Sequence, residues 1–209
     1  MIYLSYRLLN MKISFLSLVL TFFMVGCAQI PEQPIKTTDW AEHHQQLEKL
    51  THWTLSGKVA VITPEKRHSL NIYWQQNGDN FHITLTSFLG ATILDLKKTA
   101  IGTKIIDDQG DVYFGGNSQA LIRQLSGLAL PIEALQQWIK GNPTNAIYLL
   151  NKHNQLLSLT GQDSKNGHWS VDYSNYKHIQ KISLPHSLQL NRQNLRIKFS
   201  IQKWLLGPP

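Results

Sequence analysis

The sequence has one cysteine, Cys27, among its 209 residues. That excludes an internal disulfide and any cysteine-rich metal site. Charge is scarce too: 16 % of residues are charged, and the formal balance of +7 is spread along the chain without a dense basic run. A nucleic-acid surface is therefore disfavoured. The recognisable marks of catalysis are missing. There is no G-x-S-x-G elbow, no H-E-x-x-H, no phosphate-cradling glycine loop and no dinucleotide fingerprint. Nine histidines are scattered without shared ligand spacing, so neither a metal nor a cofactor is expected. A dispersed Ser/His/Asp set leaves no trace in a sequence, so a lipid-active hydrolase stays open as an alternative without positive support. Long apolar runs are missing as well. Residues 13–26 are apolar apart from Ser14, Ser17 and Thr21, which is short for a spanning helix of about 20 residues.

That short run has the make-up of a secretory leader over residues 1–26, with Arg7 and Lys12 as its positive end. Met11-Lys12 followed by the same run is itself a complete leader, so Met1 and Met11 are both eligible starts. Met24-Val25-Gly26-Cys27 resembles a bacterial lipobox, with Met24 where leucine is usual. The resemblance implies that Cys27 carries a diacylglycerol and becomes the first residue of the mature chain. The plainer alternative is an idle cysteine at the end of a signal anchor. Ala28 follows the cysteine where an aspartate would mark inner-membrane retention. Residues 27–38, with Pro31 and Pro34 among polar neighbours, read as a flexible tether.

Residues 39–209 read as one domain without internal repeat. Asp39 is a helix cap, Glu42 completes a capping-box pattern, and Trp40, His44, Leu47 and Leu50 form one apolar stripe. His43 and His44 are adjacent and so point apart on a helix, which disfavours a metal there. From Trp53 the hydrophobic period becomes two. Strands are expected near residues 53–63, 69–74, 81–86, 93–96, 103–106, 112–114, 146–150, 156–161, 168–173, 183–190 and 195–205. The acidic residues 107–111 lack the alternating ligands of a calcium loop and read as a hairpin turn. Two helices interrupt the strands: 118–128, with Ser118 as cap and Gly127 closing it, and 131–140, opened by Pro131. About ten or eleven short strands without a βαβ rhythm indicate a single antiparallel open or incomplete β-barrel, its helices covering one side. Leu55, Val59, Ile72, Trp74, Ile83 and Leu85 share one strand phase. With Leu121, Leu125, Leu135 and Trp138 on the helices, they are the candidates to line a hydrophobic cavity.

The central stretch, residues 74–96, carries an odd turn: Ser87-Phe88-Leu89-Gly90 sets two large apolar residues side by side where loop tips are normally polar. Either one of them folds back onto the core, or the tip touches a lipid or a hydrophobic partner. Gly90 permits the tight turn. Around this turn, Trp74, Gln75, Gln76, Gly78, Leu85, Thr86, Leu89, Gly90 and Thr92 follow a pattern that resembles the outer-membrane lipoprotein receptor LolB family of Gram-negative bacteria. A second block resembles it too: Leu125-Ser126-Gly127, Pro131-Ile132, Gln137-Trp138-Ile139 and Gly141. With the leader and the terminal strand, the likeness covers nearly the whole chain in order. Family members often have proline where this chain has Phe88, a departure that leaves the turn geometry open and makes the tip more apolar.

The resemblance implies a receptor without enzymatic activity, lipid-anchored on the periplasmic face of the cell outer membrane. It would take lipoproteins from a soluble periplasmic carrier of the LolA type, hold their acyl chains in the cavity and deposit them in outer-membrane lipid. Phe88, Leu89 and Gly90 would form a membrane-insertion loop, and a monomer is the expected state. The rival is a structural outer-membrane lipoprotein whose core is simply filled.

Overall fold

The computed structural model describes residues 39–162 and 167–207. The expected leader, Cys27, the tether to residue 38, residues 163–166 of one turn and the last two prolines lie outside the described residues.

Eleven strands form one sheet: β1 (His52–Ile62), β2 (Arg67–Asn77), β3 (Asn80–Thr86), β4 (Thr92–Thr99), β5 (Gly102–Asp107), β6 (Val112–Gly115), β7 (Ile147–Leu150), β8 (Leu156–Gln162), β9 (His168–Ile179), β10 (Ile182–Arg192) and β11 (Leu195–Leu206). Their order is β6-β5-β4-β3-β2-β1-β11-β10-β9-β8-β7, every neighbouring pair antiparallel. The sheet is open, with β6 and β7 as its edges. The first and last strands therefore meet at its centre. Gly57 marks that junction, where the β1–β11 register shifts. A Cβ there would overlap the Ser200 carbonyl, so the bulge needs glycine's bare backbone.

Alternation of buried and exposed side chains follows the expected phase. Val59, Ile72, Trp74 and Ile83 are buried while Lys58 and Tyr73 are exposed. Across the central strands the inner face carries an aromatic row. Trp53 lies 5.3 Å from both Trp74 and Trp204, and Trp74 lies 6.0 Å from Phe81, centroid to centroid. Such tilted and edge-on pairs add about 0.5–1.5 kcal/mol each beyond burial. Two of the indoles stay paired despite burial: Trp74 Nε1 donates to Gln76 Oε1 at 3.0 Å and Trp204 Nε1 to the Pro185 carbonyl at 3.1 Å.

Helix α1 (Trp40–Lys49) is capped by Asp39, whose carboxylate accepts from Ala41 N at 3.0 Å. Glu42 accepts from Gln46 Nε2 at 3.2 Å. The buried face includes His43 as well as the predicted Leu47 and Leu50, and His43 Nε2 contacts the Ser183 carbonyl at 2.8 Å. At the other end of α1, the Lys140 ammonium donates to the carbonyls of Leu47 (2.6 Å) and Leu50 (2.8 Å) while only 1 % exposed. A helix end leaves its last carbonyls short of intrahelical partners, and that of Leu47 otherwise accepts a long bond from Leu50 N at 3.3 Å.

Helices α2 (Ser118–Ser126) and α3 (Ile132–Trp138) are shorter than the sequence predicts. Asn117, not Ser118, caps α2, accepting from Ala120 N at 2.7 Å. Ser118 Oγ is buried against Thr103 Oγ1 at 2.7 Å and is thereby removed from capping. Gly127 closes α2 in the left-handed region at φ 70. The β9–β10 hairpin runs past the predicted limits, to Ile179 and back from Ile182. The strand continues through Asn175 at φ 55, a local irregularity within β9.

Candidate functional site

The turn between β3 and β4 is tied down on all sides. Ser87 N donates to the Ala91 carbonyl at 2.8 Å, Gly90 N to the Ser87 carbonyl at 3.0 Å, and Ala91 N to Ser87 Oγ at 3.1 Å. Asn71 Nδ2 on β2 donates to the Ser87 carbonyl at 3.0 Å. Gly90 has φ +89, a conformation that side chains disfavour. What this bonded base holds out is apolar: Phe88 is 87 % and Leu89 90 % exposed. Neither folds back onto the core.

Between the inner face of the sheet and the two helices lies a cavity of about 90 Å³. Val59, Ile72, Trp74, Ile83 and Leu85 line it from β1, β2 and β3, and Leu135 covers it from α3. The other predicted residues lie elsewhere. Leu55 is fully buried on β1, in register between Trp74 and Trp204. Leu121 packs onto Gly115 of β6, Leu125 is half-buried, and Trp138 sits over Gly161 of β8. On α2 the residue that reaches the cavity is Ile122, one position from Leu121. Leu130 joins it from the α2–α3 connection, Ile132 from the first turn of α3, and Leu94 and Leu96 from β4.

All fourteen lining residues are apolar, so the cavity offers nothing to fix a polar group or move a proton. Its one polar atom, the Trp74 indole N–H, is taken by Gln76. Gln76 in turn donates to Gln136 Oε1 on α3 at 2.9 Å and to the Gly78 carbonyl at 2.7 Å. This small chain fastens the cover to β2. A larger cleft of about 470 Å³ lies beyond α3, but Thr144, Asn145, Thr160, Gln162 and His168 make it polar. Among the described residues no cluster of His, Cys, Asp or Glu is arranged to hold a metal.

A family model described as "Outer membrane lipoprotein LolB" matches residues 51–204. The chain belongs to the outer membrane lipoprotein LolB family. A LolB protein from Psychromonas ingrahamii is 68 % identical over 184 residues, covering 88 % of this chain and 91 % of that one. One from Vibrio cholerae is 37 % identical over 190 residues, covering 88 % and 92 %. Two solved structures share the fold. A LolA superfamily protein from Nitrosomonas europaea matches with TM-score 0.56 at 6 % identity over 82 % of this chain and 95 % of its own. A DUF1329 family protein from Desulfovibrio piger matches with TM-score 0.53 at 10 % identity over 81 % and 91 %. The span matched to the LolB family takes in the turn at Leu89, both helices and every strand lining the cavity, and begins just after α1.

Proposed function

We propose that this chain is an outer-membrane receptor that accepts lipid-modified proteins from a soluble periplasmic carrier of the LolA type. It releases them into the outer membrane, holding their acyl chains under α2 and α3. The observation that carries this reading is a wholly apolar cavity beneath two short helices. Cys27 is the lipidated first residue of the mature protein, and residues 27–38 are the tether of the domain that starts at residue 39. No covalent step, cofactor or nucleotide enters. Transfer runs downhill if acyl chains fit this cavity better than the carrier's, and the bilayer better still.

A cavity of about 90 Å³ is small beside the roughly 300–1,000 Å³ of ordinary ligand pockets. Acyl chains must therefore lift the cover, and Gln76–Gln136 is the fastening they break. Leu89 acts afterwards. Moving a leucine from water into an apolar phase contributes about 1.5–3 kcal/mol. That is small beside acyl anchors at about 0.8 kcal/mol per buried methylene, so Leu89 steers cargo into the membrane and does not hold the protein there.

Photo-crosslinkers at Ile72, Ile83 and Ile122 should capture acyl chains of bound lipoprotein. Crosslinkers at the outward positions Tyr73 and Thr84 should not. Capture at the outward positions alone would overturn the proposed seat.

A further inference from the structure

The rim that carries the Leu89 turn also carries positive charge. β2 runs four residues past its last pair with β3, Asn71↔Thr86, and ends at Arg67. At about 3.4 Å per residue that is roughly 14 Å. The apolar tip leaves β3 two and three residues beyond Thr86, so Arg67 and Leu89 finish on the same side of the sheet. Ile62 pairs with Arg67 on one side and with Arg196 on the other, which puts the two arginines about 10 Å apart across three strands. Lys66 adjoins Arg67 in the β1–β2 turn, and Lys58 and Lys198 follow lower on the same outward face. All five are exposed, while the alternate residues Val59, Ile197 and Phe199 are buried. No ion pair among the described residues involves any of the five. The acids at this rim are Glu65 in the same turn and Asp172 on β9, the latter hydrogen-bonded by Asn191 at 3.4 Å. Asp107, Asp108 and Asp111 lie at the β5–β6 turn on the other flank of the Leu89 tip, where the Asp107 carboxylate accepts from Asp111 N and Tyr113 Oη.

We propose that Lys66, Arg67 and Arg196 form a contact for anionic phospholipid headgroups that docks this rim on the bilayer beside the Leu89 tip. The inference rests on the reading of Leu89 as a membrane probe and adds the lipid chemistry that probe meets. An apolar tip with unpaired cations along one flank is the division of labour of an interfacial anchor: the tip enters the acyl region and the cations stay at phosphate level. An acidic patch on a carrier protein would need the same cations, but the apolar tip on the same rim favours lipid. Each cation near an anionic surface contributes about fivefold to partitioning, and salt screens the effect.

The test uses the lipidated protein reconstituted in vesicles of phosphatidylcholine alone, or of phosphatidylcholine with phosphatidylglycerol, with cargo deposition followed at low and high salt. Wild type should deposit faster on the anionic vesicles at low salt and lose that advantage at high salt. Lys66→Gln/Arg67→Gln/Arg196→Gln should melt as wild type does, match it on phosphatidylcholine and show no phosphatidylglycerol advantage. Retention of the full advantage by this variant would overturn the inference. So would slower uptake of cargo from the carrier in the absence of vesicles, which would assign the cations to the carrier. Leu89→Ser separates the two readings, because it removes the apolar contact without changing the charge. It should slow deposition on both lipids while leaving the ratio between them unchanged. Leu89→Ser with wild-type rates on both would retire the membrane probe and leave the headgroup contact to be judged on the triple variant.

Discussion

Leu89 and Lys140 are opposites, an apolar side chain in water and a charged one in the core. With 90 % of Leu89 exposed, a glutamate there buries nothing. Leu89→Glu should leave the melting temperature within a degree or two of wild type, since exposed substitutions change stability by about 0.5 kcal/mol or less. Cargo acceptance should be unchanged and deposition slowed; Leu89→Ala should do less, because Phe88 shares the tip. Calorimetry and a liposome-delivery assay on the same variants would check both. Lys140 makes a prediction in pH. Desolvation lowers it to about 8, offset in part by Glu48. The unfolded chain, at 10.5, binds more protons than the folded one between these values, so stability rises with pH from about 8 upward. The gain is at most about 3 kcal/mol. Above pH 10 Tyr173 and Tyr176, both raised by burial, act in the opposite direction. Urea unfolding at pH 8 and pH 10 should show the gain, and Lys140→Met should abolish it while lowering stability at both.

At the level of elements, strands were legible and helices less so. A strand's period of two leaves only two choices, so the pattern at Val59, Ile72, Trp74, Ile83 and Leu85 suffices to assign one shared face. A helix leaves several apolar neighbours within one broad stripe. Leu121, Ile122 and Leu125 all qualify on α2, and only the direction of approach to the sheet selects Ile122 for the cavity. Caps are ambiguous for a similar reason. Asn117 and Ser118 can each cap α2, and Thr103, distant in sequence, decides by engaging Ser118. The Gln76–Gln136 fastening had no sequence signal at all, because glutamines sixty positions apart carry no period. It offers the test of whether the cover moves. Gln76→Cys/Gln136→Cys joined by a short bis-maleimide should bind no cargo, whereas the same protein before crosslinking should bind it. Normal uptake by the crosslinked form would mean that cargo enters elsewhere.

For the molecule as a whole, the decisive feature is the pairing of β1 with β11. It places the sequence-distant Trp53 and Trp204 in contact and makes Gly57 the residue on which the sheet's centre depends. Gly57→Ala should cost more than the 1 kcal/mol or so of an average substitution, because the added carbon overlaps backbone rather than a yielding side chain. Denaturant unfolding would measure it, and an unchanged midpoint would show that the bulge relaxes freely. The same arrangement bears on how such a protein reaches its destination. With the strand that joins β1 to the second half of the sheet supplied by residues 195–206, a chain threaded amino terminus first through an export channel cannot complete its sheet while any of that strand remains behind. Topology alone then keeps the polypeptide slack until it has crossed, and the greasy hollow comes into being only on the far side.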